Sequence, residues 1–188
     1  QYGITASFVD PTDPKAFEQA ITPQTRVLYT ETIGNPTLKV ADIRALSQLA
    51  RARNLSLVVD NTFTPLSIAP ARLGADIVIH SLTKFINGTS DTVAGAICAS
   101  NEFCLALKDV HDGAGMLLGS TLDSLRAASI LKNMRTLHLR IKKHSENALF
   151  LAREFEKEGL RVVYPGLPSH PGHHLMKNQL VEQYGFGG

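Results

Sequence analysis

Short apolar runs alternate with helix-like stretches through the first two thirds of this 188-residue chain, and that alternation limits the fold more than any other feature. Five runs read as strands: Ile4–Val9, Arg26–Thr30, Leu55–Asp60, Asp76–Ile79 and Val93–Ala99. Runs this short and this apolar suit strands buried on both faces. Between them, Asp13-Pro14 reads as the cap and first turn of a helix through Ile21. Residues 41–54 place Ile43, Leu46, Leu49 and Ala50 at helical spacing. Strand–helix–strand order predicts an α/β fold, a mostly parallel sheet flanked by helices and joined by right-handed crossovers.

The last third differs. Residues 121–158 read as one long helix, or as two joined near Leu137. Ala127, Ile130, Leu131, Met134, Leu137 and Ile141 form its apolar stripe, continued by Ser145, Ala148, Ala152 and Phe155. Gly159 stands where a left-handed C-terminal cap is needed. Residues 161–164 are expected to start a further strand, and 165–174 to form a Pro/Gly loop.

Composition excludes several function classes. With 19 Lys+Arg against 17 Asp+Glu the formal charge is +2, too small for a non-specific binder of nucleic acid. No run of about 18 apolar residues exists to span a membrane as a helix. Only two cysteines, Cys98 and Cys104, are present, which predicts a reduced, cytoplasmic setting. His170, His173 and His174 have ligand-like spacing but lie in a loop without a nearby Cys or paired acid, so no metal site is expected. Arg126, Lys132, Arg135, Arg140, Lys142 and Lys143 occupy a stretch without acids, and the helix's apolar face predicts that they point outward into water.

In α/β sheets, ligands gather at the carboxyl ends of strands. The residues found there are Glu31, Asn35 and Pro36, then Asp60 and Asn61, then His80, Ser81, Thr83 and Lys84. Lys84 directly follows an apolar run, a setting in which a lysine can act as nucleophile or base. Ser81 and Thr83 offer two hydroxyls suited to a phosphate. Asp60 offers an anion for a ring cation. Each residue alone is more simply a solvated loop group or a cap; Glu31 in particular is expected to be structural, hydrogen-bonded at its strand end. The set together suits pyridoxal 5'-phosphate, which needs a lysine for a Schiff base, an acid for its ring nitrogen and donors for its phosphate.

Glu31-Thr32-Ile33-Gly34-Asn35-Pro36 resembles the E-x-x-x-N-P motif of the Cys/Met metabolism family of pyridoxal-phosphate enzymes. So do Val59-Asp60-Asn61-Thr62-Phe63, His80-Ser81-Leu82-Thr83-Lys84-Phe85, Gly74-Ala75-Asp76, Tyr164-Pro165-Gly166-Leu167 and Tyr184-Gly185-Phe186-Gly187, in family order. Met116-Leu117-Leu118-Gly119 and Ser169-His170-Pro171 resemble the methionine-cleaving branch most. The resemblance implies the large domain of a type I aminotransferase-like enzyme over residues 1–140. The long helix and the start of a small domain would follow over 141–188. It implies Lys84 as the Schiff-base lysine, Asp60 beside the ring nitrogen and Asn35 beside the ring hydroxyl. Ser81 and Thr83 would hold the phosphate.

The implied activity is γ-elimination from a sulfur amino acid, with γ-replacement on an O-acylhomoserine or an inert, truncated relic as alternatives. The implied assembly is a homo-oligomer, a dimer of dimers. Both ends look cut, and the family's ring-stacking tyrosine, phosphate loop and carboxylate-binding arginine are expected outside residues 1–188. One departure stands out. The family carries Arg-Gly-Leu before the Thr-Leu of its long helix, where this chain has Lys132-Asn133-Met134-Arg135-Thr136-Leu137.

Overall fold

The computed structural model describes residues 2–188. Its centre is a four-stranded sheet in sequence order: β1 (Val27–Glu31), β2 (Ser56–Asp60), β3 (Ile77–Ser81) and β4 (Gly95–Cys98). β1, β2 and β3 run parallel, with Glu31 paired to Asp60 and Asp60 to Ile79. Three strands therefore deliver their last residues to one edge of the sheet. β4 runs antiparallel to β3, with Ser81 opposite Gly95. The sheet is mostly parallel, as expected, but its last strand is a return strand joined to β3 without a crossover helix.

Two expected strands are absent. Residues 4–9 are irregular, with Ile4 and Phe8 exposed, and find no neighbouring strand to pair with. Residues 161–164 are likewise irregular. A strand exists only where another backbone takes its hydrogen bonds, and propensity alone does not supply one.

The helices follow their caps. Asp13 accepts the Lys15 N–H ahead of α1 (Pro14–Ala20), and Asp42 accepts the Ala45 N–H ahead of α2 (Ile43–Ala52). The buried face of α2, Ile43, Leu46 and Ala50, packs on Leu28, Leu57 and Val59 of the sheet. A buried Gln179 then closes the start of α2. Its Oε1 accepts the Ile43 N–H and its Nε2 donates to the Ala41 carbonyl, both at 3.0 Å. Gln179 ends α7 (His173–Gln179), so the C-terminal segment is tied to the first helix layer across more than 130 residues. His173 and His174 thus lie in a helix, not in the expected loop.

Short helices α3 (Asn101–Leu107) and α4 (Ala114–Leu117) lead to α5 (Ser124–Met134) and α6 (Leu137–Lys157). The break falls at Arg135-Thr136, next to the expected joint, and Gly159 closes α6 at φ +77°. Ile130, Leu137 and Ile141 form a second small core with Ile86. Leu131, Met134 and Phe155, expected on the same stripe, are exposed instead and lie outside both cores. The two cores meet at a cleft. Phe63 packs against the first and Phe85 against the second, and their rings stand 6.2 Å apart.

Candidate functional site

That cleft, of about 690 Å³, opens at the carboxyl edge of β1, β2 and β3. Its walls include Asn35, Asp60, Thr83 and Lys84, four of the five residues singled out in the sequence. Ser81 is the exception. It is half-buried, does not line the cleft, and donates its backbone N–H to the Thr62 hydroxyl at 3.0 Å. β3 runs two residues further than the sequence pattern suggested, so His80 and Ser81 belong to the strand and not to the loop after it.

Lys84 sits inside a single π-type turn, Leu82–Ile86, in which the Asn87 N–H reaches back to the Leu82 carbonyl at 3.0 Å. Lys84 itself departs from helical geometry, at φ −92° and ψ −122°, and its side chain is exposed. Just before it, Thr83 is tied to Ala94 in both directions. The Thr83 hydroxyl accepts the Ala94 N–H at 2.9 Å and donates to the Ala94 carbonyl at 3.1 Å. That hydroxyl proton must leave Ala94 before Thr83 can serve an anion.

Asp60 ends β2 and keeps acceptor capacity facing the cleft. Its Oδ1 takes the Thr62 N–H at 2.9 Å, a local turn of the kind aspartates make. Its Oδ2 takes the Tyr29 hydroxyl at 3.4 Å. Burial, with Asp60 and Glu31 adding negative charge nearby, pushes the Tyr29 phenol up to about 12, so it stays a donor at neutral pH. Beside them, burial lowers the pKa of His80 against the opposing pull of Asp60. Its Nδ1 is buried without a hydrogen-bond partner among the described residues.

Glu31 plays the structural part expected of it. Its Oε2 accepts the Asn35 N–H at 2.8 Å and so holds the cis Asn35-Pro36 turn against the end of β1. Asn61, in contrast, faces away from the cleft: it is buried, donating to the Ile68 carbonyl and accepting the Thr64 hydroxyl.

Two cleft groups, Thr62 and Arg140, and one that bonds a cleft residue, Tyr29, escaped the sequence reading. Tyr29 could have been found, since it lies two residues before Glu31 and a strand's period of two puts both on one face. Thr62 could have been found too, as the second residue after a strand-end aspartate. Arg140 could not, because its place depends on how α6 returns to the sheet. It was expected to point into water; instead it lines the cleft. Its guanidinium donates to the Phe85 carbonyl at 2.6 Å and the Ile86 carbonyl at 2.9 Å. Among the described residues the three histidines of the 170s are part of no metal-ligating group: Nδ1 of His170 accepts the Gly172 N–H, while His173 stacks on Phe186 at 5.1 Å.

The donor set fits pyridoxal phosphate at its ring end. An amine, a carboxylate with free lone pairs and an amide share one cleft, with Phe63 and Phe85 as apolar wall, in a volume typical of a small-molecule site. At the phosphate end Thr83 is the one candidate of the two that reaches the cleft wall.

Comparison with known proteins agrees. The profile of the family described as Cys/Met metabolism PLP-dependent enzyme matches residues 1–186. The chain is 45% identical over 186 residues to a methionine gamma-lyase of Arabidopsis thaliana, covering 98% of this chain and 42% of that protein. It is 42% identical over 192 residues to a probable cystathionine gamma-synthase of Herpetosiphon aurantiacus, covering 100% and 58%. A cystathionine beta-lyase of Coxiella burnetii is 40% identical over 183 residues, covering 95% and 46%. The chain thus spans about half the length of the curated relatives it matches. With a profile match over almost its whole length and Asn35, Asp60, Thr83 and Lys84 gathered at one sheet edge, the chain belongs to the Cys/Met metabolism family of pyridoxal-phosphate-dependent enzymes.

Proposed function

We propose that the protein is a carbon–sulfur lyase that releases the γ-substituent of methionine or a related sulfur amino acid. The observation that carries this reading is the cleft itself, in which Lys84 shares a cavity with Asp60 and Asn35. Lys84 would hold the cofactor, Asp60 its ring nitrogen and Asn35 its ring hydroxyl. Thr83 would hold its phosphate from the cleft wall, and Ser81, which stands off that wall, would have to turn toward it to do the same. When bound, the cofactor supplies a sink for the electron pair left at the substrate's Cα.

The remaining work falls to side chains of this chain. Nζ of Lys84, once free, takes the Cα proton, which demands a mobile amine on a fixed backbone; the exposed side chain on the tied turn meets both conditions. The Asp60 carboxylate, already set by the Thr62 N–H, would keep the ring nitrogen protonated without having to reorganise, so that the ring can take up the electron pair. Phe63 and Phe85 keep water from that wall. With methionine and one water the products balance as methanethiol, ammonia and 2-oxobutanoate.

A second reading is γ-replacement on an O-acylhomoserine, favoured by the relative named as a probable cystathionine gamma-synthase. The test supplies cofactor-loaded full chain with methionine alone, then with an O-acylhomoserine and a thiol. A 2-oxo acid from methionine alone supports elimination. Product only from the second mixture supports replacement, and neither supports an inert relic.

The same reading takes residues 1–140 as a cofactor-binding large domain and 141–188 as the start of a small one. It also takes the protein as a cytoplasmic homo-oligomer, a dimer of dimers. The exposed Met116, Leu117 and Leu118 support self-association. A fully active monomer in light scattering would exclude it.

A further inference from the structure

We propose that Arg140 is a positioning residue for Lys84, and that the corner between α5 and α6 holds the lysine turn in place. The inference rests on the reading of Lys84 as the cofactor's lysine. Its warrant is the hydrogen bonding around the turn.

The turn Leu82–Ile86 leaves two carbonyls over. Among the described residues no backbone N–H takes the oxygen of Phe85 or of Ile86. Arg140 takes both, from two different nitrogens: Nη1 to Phe85 and Nη2 to Ile86. The guanidinium is in turn aimed by α5 and the helix break. Its Nε donates to the Thr136 hydroxyl at 3.1 Å, and Nη2 also reaches the Asn133 carbonyl at 3.3 Å. Four of its five N–H groups are thereby engaged, and among the described residues it forms no ion pair with a carboxylate. A cation spent on four neutral acceptors is holding backbone in place.

Two further observations point the same way. Gly88, at φ +77°, lies against the guanidinium, so the chain is bare of side chain where Arg140 needs the space. Asn133, standing where the family pattern has glycine, donates from its Nδ2 to Asn87 Oδ1 at 2.8 Å and contacts the Thr89 hydroxyl at 3.4 Å. Asn87, 1% exposed, passes the connection on to Asp91 at 2.8 Å. Lys84 is therefore pinned on both sides, by Thr83 to Ala94 before it and by Phe85 and Ile86 to Arg140 after it. Its backbone is fixed while its side chain stays free.

A lysine at 140 keeps the charge but is a point donor that cannot bridge both carbonyls and Thr136 at once. The experiment compares wild-type full chain with Arg140→Lys and Asn133→Gly, with Ile43→Val in the other core as a control for lost stability. Amide exchange over residues 84–90 is read in cofactor-free protein. The pH midpoint of the visible absorption band, a property of the lysine nitrogen on the cofactor, is read in loaded protein. We expect exchange at 84–90 to rise about tenfold or more in Arg140→Lys, and less in Asn133→Gly. The absorption midpoint should shift in Arg140→Lys, and Ile43→Val should leave both readouts as in wild type. Should Arg140→Lys not fold, Thr136→Val, which removes only the acceptor of Nε, carries the same expectation at smaller size. Unchanged exchange and an unchanged midpoint overturn the proposal, and so does a change that Ile43→Val reproduces. If wild type takes up no cofactor, the lysine assignment fails separately, because the exchange measurement reads the clamp without it.

Discussion

The guanidinium of Arg140 occupies the space in which a side chain on Gly88 would stand: a Cβ there would lie 2.4 Å from Nη1. A flexible arginine would ordinarily swing aside at little cost. This one is held by the Phe85, Ile86 and Asn133 carbonyls and the Thr136 hydroxyl, so moving it breaks hydrogen bonds worth about 1 kcal/mol each. Gly88→Ala also forces a left-handed φ on a residue with a side chain, at about 1–2 kcal/mol. Gly119 is the comparison, with φ +65° and nothing within 4 Å of a Cβ. In urea denaturation Gly119→Ala should cost about 1 kcal/mol, and Gly88→Ala about 1–2 kcal/mol more.

Lys84 should carry the cofactor. Loaded full chain should be yellow, and borohydride should fix the label on Lys84 in a peptide map. Label on Lys39 or Lys142 instead would remove Lys84 from the site.

Asp60→Asn keeps the shape of the side chain and removes its charge. Exchange of the substrate's Cα proton should slow by about 10²–10⁴, the worth of one preorganised partner at roughly 3–5 kcal/mol. Cofactor occupancy, checked by absorbance, should fall much less. An unchanged exchange rate would reduce Asp60 to the turn it makes with Thr62.

His80 gives a pH dependence. Its folded pKa lies below the ordinary 6.5 because burial disfavours the cation, with Asp60 opposing. The unfolded chain therefore binds the proton more readily, so stability is full above about pH 6.5 and declines as the pH falls toward the folded value. Urea midpoints near about pH 7.5 and about pH 5.5 should separate in wild type and draw together in His80→Gln. His170 is lowered in the same direction, by its own burial first, so His170→Gln serves as the second arm. An equal pH response in wild type and His80→Gln would show that His80 carries none of it.

Much of the site was legible because it is local. Asp60 ends β2, Thr83 and Lys84 lie two and three residues past the end of β3, and parallel pairing brings strand ends to one edge whatever the crossovers do. Strand length was the weak point. β3 absorbs His80 and Ser81, and one extra residue of pairing reverses which way a side chain faces. The stretch Ile4–Val9 failed for another reason: alternation describes a strand's faces, while its existence depends on a neighbour, and among the described residues none pairs with it. Arg140 was hidden because charge patterning treats a helix as a surface with an outside. The fold turned one cation inward to meet carbonyls 54 and 55 residues away.

The return strand β4 has a consequence for how the site is assembled. Because β4 runs back along β3, the partner that ties Thr83 lies only 11 residues on, at Ala94. The tie to Arg140 spans 55 residues. Closing the longer loop costs about 1.4 kcal/mol more in chain entropy, since each doubling of length adds roughly 0.6 kcal/mol. The lysine turn therefore has one hinge that is cheap to close and one that is dear, and the dear one depends on α6 being docked. Chain order makes Lys84 a reporter on that helix: its leading edge is set by the hairpin alone, its trailing edge only once the far end of the fold has arrived.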